Sequence, residues 1–181
     1  MHKHLQLVRD FHLQFGVAQA DHLEFSHLPE MDVVMRQALL AECGAETFKA
    51  LAVSDLEKVL AGLVDLAFNA LAAIASQGGD MVAGGANWRQ DGSILSVVRV
   101  LSNRIDQCVS GECVHYSALY NVCEQLARGF VNADFDQAFR LLQAHLLSES
   151  PSALAAPGHY RGRLAQAGAA GNPDFSPALY E

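Results

Sequence analysis

Residues 54–79 read SDLEKVLAGLVDLAFNALAAIASQGG, and how this stretch is read decides the fold. Between Lys58 and Asp80 its only formal charge is Asp65, set among Leu, Val, Ala and Phe. The run approaches membrane-spanning length, yet it carries Asp65, Asn69 and Gln77, and nothing else in the chain resembles a second span. A mid-span aspartate is costly on insertion scales. The stretch is therefore expected to be the central helix of a soluble bundle. SDLE at 54–57 has the form of a capping box, in which the Ser54 hydroxyl accepts from the Glu57 backbone N–H and Glu57 returns to Ser54. Gly78 and Gly79 supply the stop.

Outward from this helix the pattern stays helical. Residues 3–18 carry Leu5, Val8, Phe11 and Phe15 at helical spacing, ending at Gly16. AQADHLEFSHLPE breaks the pattern as a connection. From Glu30 to about Leu51, Val33, Val34, Leu39, Leu40, Phe48 and Leu51 mark a second helix, whose acidic start suits the helix dipole. Only a few residues separate it from the central helix, so the two must be antiparallel neighbours. GGDMVAGGANWRQDG is a Gly-rich loop without the GK[ST] of a phosphate-binding loop. Further helices are expected over Ser93–Cys108 (Ile94, Val97, Val98, Leu101 and Ile105 inward), Cys113–Phe130, and from the DFDQ cap at 134–137 to Ser148. No alternating strand is evident. The expectation is an all-α bundle of about six helices around an antiparallel central pair. The helical domain would span 1–148, and an irregular tail, 149–181, would drape over the bundle or a neighbouring chain through Tyr160, Phe175, Leu179 and Tyr180.

At 181 residues and a net charge of −8, the chain suits one well-cored domain and does not suit a nucleic-acid backbone as partner. An acidic balance is compatible with a cation, or with a phosphorylated ligand bridged by one. Cys43, Cys108, Cys113 and Cys123 form no CxxC pair and have no zinc-like spacing with His, as for reduced thiols in a cytoplasmic protein. The first residues, MHKHLQLVRDFHLQF, lack the apolar core of a secretory signal.

Glu42 and Glu46, four residues apart, share one helix face, and Asp65 and Asn69 share another. Measured from a turn near Val53, Glu42 lies roughly 16 Å and Glu46 roughly 10 Å along the second helix, and Asp65 roughly 18 Å along the third. Asp65 should thus come level with Glu42, so that three carboxylates meet in one groove. Oxygen donors of this kind suit Mg²⁺ or Mn²⁺. The competing arrangement leaves Glu42 and Glu46 on a solvated face and pairs Asp65 with Arg36 or Arg99. His12, His115 and His145 stand singly on helices, Ser117 and Ser148 have no partnered His, and Tyr116 and Tyr120 lie one turn apart as core or as a stacking surface.

VRDFHLQFG, MRQALLAECGAETFKAL and SDLEKVLAGLVDLAFNALAAIASQGGD together resemble the all-α nucleoside triphosphate pyrophosphohydrolases, most closely MazG-like and phosphoribosyl-ATP pyrophosphohydrolase-like proteins. The likeness covers residues 5–80, with an echo in NADFDQAFRLLQAH and NPDFSPALYE, and residues 85–130 read as an inserted helical pair. It implies Mg²⁺-dependent hydrolysis of a nucleotide to monophosphate and pyrophosphate, and a homodimer. By the same resemblance Glu42, Glu46 and Asp65 fall on metal-ligand positions, Glu46 would also orient the attacking water, and Arg36 and Asn69 would contact substrate. Cys43 stands where that family has its second Glu, Gly62 where many members have an acid, and the Asn and Lys that follow the family's last helix have no counterpart. A homologue with an eroded site, kept as a nucleotide-binding or protein-interaction module, is the alternative expectation.

Overall fold

A computed structural model describes residues 1–83, 93–148, 155–156, 159–160 and 173–180. It is an all-α bundle of six helices: α1 (Lys3–Phe15), α2 (Glu30–Ala52), α3 (Leu56–Ser76), α4 (Ile94–Gln107), α5 (Cys113–Leu126) and α6 (Phe135–Ser148). The β structure among the described residues is one two-residue antiparallel pair, Ala155–Ala156 with His159–Tyr160, and an isolated antiparallel bridge between Ala133 and Leu179. Most of the Gly-rich loop, and the tail from 149 to 172 apart from that pair's backbone, lie outside the described residues, including the side chain of Tyr160.

α3 is the axis. It is long and apolar enough to cross a membrane, but 94% of its most apolar window is buried inside the protein. Every residue from Val59 to Ala75 is buried, beneath α1, α2, α5 and α6. The expected insertion supplies one of these walls: α5 packs along α3 with Leu119, Val122, Cys123 and Leu126, and α4 closes over α5 and α2 with Val97, Leu101 and Ile105. Ile94, expected inward, is instead 45% exposed in the first turn of α4, before that helix meets the core.

The start of α3 differs from the capping box. Asp55 is the N-cap, its carboxylate accepting from Lys58 N at 3.1 Å, while Ser54 takes a positive φ of 57° to close the short α2–α3 turn. At the other end the α1–α2 connection caps the helix. Ala20, Ser26 and Leu23 donate backbone N–H groups to the carbonyls of Ser76, Gln77 and Gly78 at 3.0, 2.9 and 2.8 Å. These are carbonyls that a helix terminus would otherwise leave unsatisfied. Gly78 turns the chain with φ +68°, and a Cβ there would press on the Asp21 and Glu24 carbonyls, so a side chain is excluded.

The close of the tail docks as expected for Phe175, which is buried, and in part for Leu179, which packs on the core. Tyr180 remains exposed. Phe175 N donates to Glu57 Oε1 at 3.2 Å, and Tyr180 N to Asn132 O at 3.2 Å. All four cysteines are free thiols.

α1, α5 and α6 are tied together by a polar relay inside the core. His4 Nε2 meets Asp136 Oδ1 at 2.8 Å and its Nδ1 meets the Tyr120 hydroxyl at 2.7 Å, while its ring stacks on Phe139 with centroids 4.2 Å apart. Tyr116 and Tyr120 are thus core residues, both fully buried. Burial pushes the His4 pKa down to about 4, against the opposing hydrogen bond that His4 donates to the Asp136 carboxylate. His12, also fully buried, is pushed down to about 3 by burial, then by the charges of Arg36 and Arg9. Both groups have folded pKa values below the unfolded 6.5. On acidification the unfolded chain therefore takes up these protons first. Stability is full above pH 6.5 and falls as pH drops through the window down to about 4 for His4 and about 3 for His12. Chemical denaturation across this range should show a loss on the order of a few kcal/mol, and the slope should be shallower in His12→Phe.

Candidate functional site

Three contacts fix the register of the antiparallel α2–α3 pair. Arg36 Nη2 donates to Ser76 Oγ at 2.8 Å, Asn69 Nδ2 lies 3.8 Å from Cys43 Sγ, and Gly62 faces Thr47. Interpolating between the last two, Asp65 comes level with the turn of α2 that holds Glu46 and Thr47. It does not come level with Glu42, which sits about one helical turn, some 5–6 Å, further along. The expected height was off because the connection turns tightly at Ser54–Asp55, shifting the register by several residues.

Which face each side chain occupies matters more than its height. The stripe of α2 that faces α3 is Leu40, Cys43, Thr47 and Leu51, all buried. Glu42 and Glu46 lie on the adjoining face and are exposed, and Glu46 is paired with Lys49 Nζ at 2.6 Å. Asp65 is 4% exposed and Asn69 6% exposed on the inner side. Asn69 Nδ2 also donates to the Asp65 carbonyl at 2.9 Å, one turn back on its own helix. So Glu46, near the height of Asp65, is exposed where Asp65 is buried, and Glu42 is exposed about a turn further along.

The donor set does not fit a compact Mg²⁺ centre as it stands. Such a centre needs several converging oxygens and their charge. Among the described residues no three His, Cys, Asp or Glu side chains come together as a metal-holding group. At the two positions where the resembling family carries further acids, this chain has built packing. Cys43 is 2% exposed against Asn69, and the space beside Gly62 is filled by Thr47, whose hydroxyl donates to Cys43 O at 2.8 Å. A side chain at position 62 would be driven into the Thr47 hydroxyl.

Arg36, the expected substrate contact, stands two turns from these residues, at the C-terminal end of α3. That end has no basic residue in its own last turn. Two guanidinium groups from other helices supply the charge. Arg9 reaches Ala75 O at 3.2 Å and Ala20 O at 3.0 Å, and Arg36 reaches Ser76. Cations at a helix C-terminus are favoured by its partial negative charge. Burial lowers the Arg36 pKa, with Tyr116 and Asp32 opposing. The sequence reading missed Arg9 and Ser76. Its available signal was α3 itself, a long apolar helix with no cation of its own near its end. A separate hollow of about 430 Å3, between the first turn of α3 and Phe175, contains none of the expected site residues.

Gly62→Ala tests the seam through the sign of its effect. Ala at an unconstrained helix position gains roughly 0.5–1 kcal/mol over Gly. Here the substitution is expected to destabilise by about 1–3 kcal/mol, as overpacking does. Part of the loss should return in the Gly62→Ala/Thr47→Ala double variant, read by denaturant midpoints. Set against family models, curated proteins and solved structures, the chain matches none.

Proposed function

We propose that this chain is a nucleotide-binding protein on a pyrophosphohydrolase-like helical plan, one that holds a phosphorylated ligand without turning it over. The observation that carries this reading is the packed α2–α3 seam. Cys43, Thr47, Gly62 and Asn69 fill the groove in which acids would have to converge, and Glu42 and Glu46 face outward. A hydrolase of this type needs a cation to offset the pyrophosphate leaving group. Two exposed glutamates and one buried aspartate on different faces are a poor platform for it. The exposed Met31, Val34 and Met35 on the outer side of α2 support the homodimer as part of the same reading.

One observation favours Mg²⁺-dependent hydrolysis as the second reading: Glu46 and Asp65 lie at the same height on neighbouring helices. The Glu46–Lys49 pair is exposed at both ends, 49% and 72%, and exposed pairs of this kind are worth about 0–1 kcal/mol. Glu46 is therefore cheaply released, and in this reading it remains the residue that orients water.

The deciding assay measures pyrophosphate release from a panel of nucleoside triphosphates with Mg²⁺ or Mn²⁺, for wild type and Asp65→Asn. The proposal expects no release above the protein-free control, together with nucleotide binding in a calorimetric titration. Release that Asp65→Asn abolishes would establish the second reading instead.

A further inference from the structure

The α1–α2 connection, the first turns of α2 and the end of α3 enclose a cavity of about 240 Å3, lined in part by Gln19, His27, Asp32, Arg36 and Ser76. Pockets for whole drug-sized ligands start at about 300 Å3. This one has room for a phosphoryl or pyrophosphoryl group rather than an entire nucleotide.

Its lining holds a guanidinium that is only partly satisfied. Guanidinium groups carry five N–H donors in a planar fork suited to oxyanions. Arg36 has one of these on Ser76 Oγ, and its Nε is buried with no hydrogen-bond partner among the described residues. Buried polar groups left without partners are rare and costly, and an absent ligand or ion is one of the standard reasons for them. Arg9, whose Nη2 holds the Ala20 carbonyl in the cavity wall, adds a second positive charge directly behind it. His12, buried behind the wall beside Gln19, sits near enough to both arginines for their charges to lower its pKa, so it adds no charge of its own. The lining itself presents one guanidinium, Arg36, and one carboxylate, Asp32, with Arg9 behind the wall as the additional cation. In a chain of net charge −8, Arg9 tips this locality to one positive charge.

Nor is the wall an accident of a loose loop. Three backbone hydrogen bonds to Ser76, Gln77 and Gly78 fix the connection across the end of α3, and the positive φ of Gly78 allows the close approach. Ser76 Oγ, which accepts from Arg36, is also 3.3 Å from the Ala18 carbonyl, joining both sides of the cavity to one side chain.

We infer that this cavity is a phosphate-binding site, with Arg36 as the anchoring donor and Arg9 as the supporting charge behind the wall. Ser76 orients the guanidinium, and Asp32 restrains affinity by like-charge repulsion. The site lies roughly 16 Å along α3 from Asp65 (eleven residues at the helical rise), so it is separate from the carboxylates of the seam. The inference rests on the binding reading above only for where the phosphoryl group comes from. The site itself stands on the cavity and on the unpartnered Nε of Arg36.

The test is calorimetric titration of the full chain with inorganic phosphate, pyrophosphate and a nucleoside triphosphate, in metal-free buffer so that no seam-bound cation contributes. Wild type is expected to bind at least one of them saturably. Arg36→Met, which keeps much of the side-chain volume, should weaken that binding about tenfold or more, the scale of a lost charge-assisted contact. Asp32→Asn should tighten it severalfold, an outcome that a damaged fold would not produce. Preference for the nucleotide assigns the phosphoryl group to a nucleotide, and preference for pyrophosphate assigns it to the free ion. The inference is overturned if wild type binds none of the three below millimolar concentration, or if Arg36→Met binds as wild type does while retaining its helical circular dichroism. Phosphate or pyrophosphate binding that Arg36→Met weakens, with no nucleotide bound, supports this inference while the nucleotide-binding reading fails, and nucleotide binding that Arg36→Met leaves unchanged does the reverse.

Discussion

α3 has Asp65 and Asn69 as its only polar side chains between Val59 and Ala75, and every residue in that span is buried. Removing so much apolar surface from water is the dominant favourable term in a fold of this size. It also imposes a demand that the neighbouring elements must meet: the helix needs a wall on every side, and both ends need capping. α1, α2, α5 and α6 supply the walls, while Asp55 caps one end and the α1–α2 connection the other. Each neighbouring element is placed by what it does for α3.

That demand explains how chemistry is distributed in the molecule. Side chains on the inner stripe of α2 are spent on close packing, as in the Cys43–Asn69 contact and the fit of Thr47 on Gly62. Burying a carboxylate carries a desolvation cost; Glu42 and Glu46 take the adjacent exposed face, and Asp65 is the carboxylate buried on the inner side. Cationic chemistry gathers instead at the end of α3, where the partial negative charge of the helix terminus stabilises Arg9 and Arg36 away from water. The two ends of the central pair thus differ in kind: a closely packed seam toward the α2–α3 turn, and a polar cavity lined by Arg36 and Asp32 toward the opposite end.

Much of this was legible in residues 54–79 and in the helical spacing around them. The continuous apolar run gave a buried axis, the short α2–α3 connection gave an antiparallel neighbour, and Gly16 and Gly78 marked helix ends. Two features were not. The register of α2 on α3 depends on the backbone conformation at Ser54, whose positive φ no capping pattern reveals, and an offset of a few residues moves Asp65 from Glu42 to Glu46. The azimuth of Glu42 and Glu46 was also hidden, because α2 is apolar on two sides. Met31, Val34 and Met35 line its outer face as Leu40, Leu51 and Cys43 line its inner one, so periodicity alone does not say which side meets α3. His4 was missed because its partners, Tyr120 and Asp136, come from helices more than a hundred residues away.

Gly78 carries a consequence for recognition. Because the α1–α2 connection approaches α3 through a point that tolerates no side chain, and hands three of its amides to the helix terminus, it cannot swing outward without exposing the end of the axis. A ligand entering there meets a receptor already in its final shape. Little ordering entropy is then spent on complexation, and selectivity comes from steric and charge match at first encounter, not from remodelling after it.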